Sequence, residues 1–203
     1  MFDWVTGVVE EMGYIGIAML TLLENIFPPI PSELIMPLAG FVAKRGGLAF
    51  WGTVAAGTAG SFAGAVVWYE VGRRIGERRL HAWLSRHGRW LGIGEDDFER
   101  AAGWFRRHGV MAVLIGRLVP GVRTFISVPA GFSEMPRASF ALYTLAGTFA
   151  WTLALAYAGH LLGENYDRVH RFLEPVSWTV IALVVLLPIV RALRRRRAER
   201  ERT

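Results

Sequence analysis

Long uncharged apolar runs alternate along this chain with shorter ones interrupted by prolines. Three runs reach the roughly 20 apolar residues that a helix needs to cross a bilayer. They are residues 48–69, residues 138–159 and residues 172–190, the last charged only at Glu174. Gly57, Gly60 and Gly64 give the first of them small residues at helix-packing spacing. Two further segments are apolar but broken. Residues 12–23 are followed by Glu24, Pro28, Pro29, Pro31 and Glu33, and then by a second short run, 34–42. Residues 110–115 and 125–132 flank Arg117-Leu-Val-Pro120-Gly121-Val-Arg123 in the same way. A short run in, a break and a short run out predict a re-entrant hairpin. Backbone groups freed at the breaks cannot face lipid, so they must be covered by protein or line a wet cavity.

The two broken segments are copies of one pattern. TLLENIFPPIPSELIMPLAGF spans 21–41 and LIGRLVPGVRTFISVPAGF spans 114–132. The likeness continues through Phe50 and Phe140, Gly57-Thr58 and Gly147-Thr148, and Tyr69 and Tyr157. It ends at Gly72-x-x-x-Gly76-Glu77 and Gly159-x-x-x-Gly163-Glu164. The units run from about 13 to 77 and from about 109 to 164. Each holds one hairpin and one crossing helix, so successive units face opposite ways and form an inverted repeat. The fold class expected is therefore an all-α integral membrane protein, one domain over 1–203. A third transmembrane helix follows at 172–190, then a basic tail at 191–203.

Charge sets the orientation. Residues 72–108 are polar and hold nine arginines, with Trp83, Trp90 and Trp104 suited to helices lying at a membrane surface. Glu95-Asp96-Asp97 opens one of these helices, where acids complement the helix dipole. The net charge is +6, but the last thirteen residues carry seven Arg and two Glu, so the body is nearly neutral. The high pI thus belongs to the tail, which contacts anionic lipid rather than nucleic acid. Both basic stretches belong on the cytoplasmic side, which puts the first hairpin's entry outside and the second's inside. Lys44-Arg45 on the outer side is a minor violation. The N-terminal MFDWVTGVVEEMGY has three acids and no basic leader, and reads as an amphipathic lead-in helix anchored by Phe2 and Trp4.

The candidate chemistry lies in the broken segments. The first copy carries acids, Glu24 and Glu33, and the second carries bases, Arg117 and Arg123. Ionised groups at membrane depth are costly and mark a pathway or a binding site. Opposed hairpins would bring the two sets together, with Pro28, Pro31, Pro120 and Gly121 as the structural breaks. Arginine suits a phosphate through bidentate hydrogen bonds, and a carboxylate beside a cavity can carry a proton. The set fits a carrier that holds an anionic head group and couples its release to protons. A purely structural clamp between the hairpins is the competing account, and for Glu33 the competing account is an acid serving the start of its half-helix. There is no cysteine, the five histidines lack metal-ligand spacing, and no cofactor or catalytic motif is present. The glycine-rich first span permits a homo-oligomer as readily as internal packing.

On ENIFPPIPSELIMPLAGF and GRLVPGVRTFISVPAG, together with the Gly-Thr and Tyr-x-x-Gly-x-x-x-Gly phrases, the chain resembles the DedA family of SNARE-associated (VTT-domain) membrane proteins over about 10–190. The resemblance implies opposed re-entrant hairpins in the bacterial plasma membrane and movement of lipids across it. Undecaprenyl phosphate is the first cargo implied and phosphatidylethanolamine the second, with ties to the proton-motive force and to cationic-antibiotic resistance. It places substrate binding on Arg117 and Arg123 and proton coupling on Glu24 and Glu33. At Glu33 the chain departs from the family, with a short Pro-Ile-Pro-Ser-Glu where many members have a longer insert. The expected function is a flippase-like carrier of a lipid phosphate rather than an enzyme. The alternatives are a phospholipid scramblase, a proton-coupled cation exporter and a membrane scaffold.

Overall fold

A computed structural model of the chain describes residues 2–27, 32–91, 95–119 and 122–162. Among the described residues there are seven helices: α1 Phe2–Ile26, α2 Ser32–Lys44, α3 Phe50–Leu91, α4 Glu95–Arg117, α5 Val122–Phe125, α6 Ser127–Phe132 and α7 Arg137–Leu162. The breaks Pro28, Pro31, Pro120 and Gly121, the expected crossing at 172–190 and the basic tail lie outside the described residues.

Three helices are long and apolar enough to cross a membrane: Trp4–Ile26, Phe50–Gly76 and Arg137–Leu161. The second and third are the runs read from hydropathy. The first joins the expected lead-in to the first hairpin arm. Gly13 marks the joint, with φ 56° and ψ −130°, a conformation open essentially only to glycine. A second such joint, Gly76 at φ 71° and ψ 157°, ends the apolar part of α3 where the arginine-rich segment begins. That segment continues as helix to Leu91, and α4 starts on the acidic triplet at Glu95.

Small residues set the directions of packing. The outer arm of α1 lies along α3, with Tyr14 against Gly52, Thr21 against Gly60 and Asn25 against Gly64. Rising numbers meet rising numbers, so the two run parallel and α2 must return between them. The Tyr14 hydroxyl accepts the Ala49 N–H at 2.8 Å, pinning the starts of both together. In the second half α4 packs on α7, and the Arg117 side chain lies over Gly147. The apolar parts of α3 and α7 are antiparallel. Thr58 bonds Thr152 at 2.8 Å, Tyr69 stacks on Phe140 at 4.2 Å, and Glu70 meets Arg137 at 2.9 Å.

The second arms are exchanged. In α2, Gly40 abuts the Ala156 backbone, and Gly159 of α7 abuts Pro37. In α6, Gly131 abuts the Tyr69 backbone, and Gly72 of α3 abuts Val128. Each short arm thus lies on the long helix of the other half at backbone contact, where a side chain has no room. Two apolar cores result, one around Ile17, Met36 and Val54, the other around Tyr69, Val113 and Phe140. Ile15, Met19 and Leu23 on α1 and Leu142, Leu145 and Phe149 on α7 face outward at helical spacing. A surface of that kind belongs against lipid.

Candidate functional site

Glu24 stands near the inner end of α1, beside Asn25, which rests on Gly64 midway along the apolar part of α3. Arg117 closes α4 over Gly147, near the middle of the span Arg137–Leu161. Both charges therefore lie at mid-depth of the long helices. Arg123 sits in the four-residue α5, and Ser127 opens α6 one turn later. The chain doubles back sharply here, and α5 and α6 are too short to bury much surface alone. Their position comes from the seat of α6 on α3.

Arg123 forms an ion pair with Glu24 Oε1, joining the two broken segments. Arg117 donates through a terminal guanidinium nitrogen to the Ser127 hydroxyl. The exposure of Glu24, Arg117 and Arg123 is 4%, 2% and 5%, so all three are desolvated. Among the described side chains Arg117 meets a hydroxyl rather than a carboxylate. Glu24 Oε2 and Arg117 Nε have no hydrogen-bond partner. A buried charge without full compensation costs several kcal/mol in order of magnitude, so such an arrangement calls for a charged or strongly polar ligand.

Of the four charges singled out in the sequence, the structure pairs Glu24 with Arg123 and sets Arg117 on Ser127, one helical turn after Arg123. Glu33 lies in the first turn of α2, where an acid suits the helix dipole, and its side chain falls outside the described residues. Two partners escaped sequence reasoning. Ser127 was signalled only by its place one turn after Arg123. Asn25 adjoins Glu24, is fully buried, and leaves both amide atoms without partners. A separate groove of about 490 Å³ opens between α4 and the start of α7, with Arg107, His108 and Glu134 among its lining residues. It does not include the charge cluster.

The VTT domain matches residues 30–161, which holds both arginines and most of the helices just described. This chain belongs to the VTT-domain (DedA) family. Among its relatives in that family is an alkaline phosphatase-like protein of Lactococcus lactis subsp. cremoris, 36% identical over 94% of this chain and 89% of the relative. The undecaprenyl phosphate transporter A of Staphylococcus aureus is 33% identical over 94% of each chain. The protein of the same name from Bacillus subtilis is 30% identical over 94% of this chain and 88% of the relative. No solved structure matches. With membership of this family and three membrane-length helices, the chain is a membrane protein, helical and without strands among the described residues.

Proposed function

We propose that this protein carries a lipid phosphate, undecaprenyl phosphate, across the bacterial plasma membrane, with Arg117 and Arg123 holding the phosphate. The observation that carries the reading is the pair of arginines buried at mid-depth, one tied to Glu24 and the other to a single hydroxyl. Guanidinium groups bind phosphate oxygens in bidentate fashion, most strongly where water is excluded. The relatives named for undecaprenyl phosphate transport, which align over nearly the whole chain, support that cargo.

In this reading the broken segments are re-entrant hairpins, and the units 13–77 and 109–164 are an inverted repeat. The parallel packing of α1 on α3, the antiparallel α3 and α7, and the exchanged short arms support it. Glu24 competes with the phosphate for Arg123. A proton on Glu24 would weaken that pair and free the arginine, which couples cargo to protons; Glu33 serves as a second acid at the break of the hairpin. The arginine-rich segment and the tail face the cytoplasm. A carrier rather than an enzyme is the reading that the relatives named as transporters support.

The test is translocation of labelled undecaprenyl phosphate in proteoliposomes under an imposed pH gradient. Wild type moves the lipid, Arg117→Ala loses movement, and Glu24→Gln loses the response to the gradient. A well-folded wild type that moves no lipid phosphate overturns the reading.

A further inference from the structure

The buried hydroxyl groups of α1, α3 and α7 are unequal in a way that the charge cluster does not explain. Thr21, Thr53, Thr58 and Thr152 spend their hydroxyls in the usual manner of membrane helices, on carbonyls one turn back. Ser61, Thr144 and Thr148 do not. They are 1%, 0% and 2% exposed, and none of their hydroxyls has a hydrogen-bond partner.

These groups are aligned. Thr58 and Thr152 bond each other where the two antiparallel helices meet. One turn along from that bond, in the same direction on both helices, stand Ser61 and Thr148. A further turn brings Asn25, seated on Gly64, and Thr144. Beyond them the Tyr69–Phe140 stack closes the seam. Arg117 lies over Gly147, between the turns that carry Thr144 and Thr148. The unpartnered hydroxyls and the Asn25 amide therefore continue inward from the arginine that Ser127 alone engages.

We infer that Asn25, Ser61, Thr144 and Thr148 form an uncharged hydrogen-bonding subsite for the oxygens of a phosphate monoester held at Arg117. The inference rests on the lipid-phosphate reading above and extends it to residues that reading does not use. The chemistry fits. Amide and hydroxyl groups donate to phosphate oxygens without adding charge, so they hold the anion while letting it leave the arginines. Buried polar groups are almost always paired in proteins, and each one left unmade is destabilising. Three along the α3–α7 seam, with Asn25 on the adjoining α1–α3 contact, mark a place kept for a polar guest.

The experiment uses Ser61→Ala and Thr148→Val, singly and together, with Arg117→Ala beside them. Both substitutions remove a hydroxyl and nearly conserve shape. The readouts are the melting temperature in detergent, the affinity for farnesyl monophosphate, and translocation of labelled undecaprenyl phosphate. A subsite predicts that each variant melts at or above the wild-type temperature, because an unpaired polar group is gone. It also predicts that affinity falls about tenfold per hydroxyl, the loss of one hydrogen bond to an anion. Unchanged affinity and transport in the double variant, with Arg117→Ala inactive, overturn the subsite and leave the carrier reading standing. A clear fall in melting temperature also overturns it, since the hydroxyls then serve the fold. A wild type that neither binds nor moves lipid phosphate removes the carrier reading and the subsite with it.

Discussion

Glu24 keeps one carboxylate oxygen on Arg123 and has no hydrogen bond to the other, in a setting nearly closed to water. Removing one member of a buried pair leaves the other charge uncompensated, at a cost of about 3–5 kcal/mol. Arg123→Met and Glu24→Gln, each alone, are therefore expected to lower the melting temperature sharply. Replacing both, Glu24→Gln with Arg123→Met, is expected to restore most of the loss. Thermal melts of the two single variants and the double variant check this, and additive losses would contradict it. The charged part of this cluster was legible in the sequence, because acids and arginines inside proline-broken apolar runs have few innocent explanations. The neutral part was not. Ser61 and Thr148 look the same in sequence as Thr58 and Thr152, and only the structure shows which hydroxyls are spent on the backbone.

At the scale of elements the glycines decide the packing. Gly40, Gly72, Gly131 and Gly159 each abut the backbone of a facing helix, so a side chain there must push the helices apart. Gly131→Val is expected to cost on the order of 3 kcal/mol and to lower the yield of folded protein. Gly7 has open space around it within a helix, so Gly7→Ala is expected to be neutral or to stabilise by about 0.5–1 kcal/mol. Gly76 also has open space, but its φ is 71°, so Gly76→Ala is expected to cost about 1–3 kcal/mol through the backbone alone. Chemical denaturation of the three variants in one detergent separates these causes. The order of helices, the start of α4 on its acids and the two long spans were all legible from period and charge. The exchange of the short arms was not, because small residues permit many partners and do not name one. The register also shifted. The Gly-Thr phrase pairs Gly57 with Gly147, whereas packing pairs Gly60 with Gly147, as the residues that carry Thr21 and Arg117.

For the molecule as a whole, the antiparallel long helices α3 and α7 meet beside a buried, partly unpaired polar centre. Hydropathy had already pointed to the two long helices, but their meeting point depends on contacts between residues nearly a hundred positions apart, such as Thr58 with Thr152. The sidedness of the molecule is open to direct test because the chain has no cysteine. Single cysteines at Lys44 and Arg107 are expected to react with an impermeant thiol reagent from opposite faces of the membrane, Lys44 from outside. Labelling of both from one face would contradict the inverted arrangement. The central claim, that a lipid phosphate is held at the mid-depth arginines, is tested most directly by its position. A polyprenyl phosphate carrying a diazirine next to the phosphate would be photolysed with the reconstituted protein and its adducts mapped by mass spectrometry. The account predicts adducts within 117–127 and 144–148, lost in Arg117→Ala. Adducts confined to the separate groove near Arg107 and Ser139, unchanged by that substitution, would contradict it.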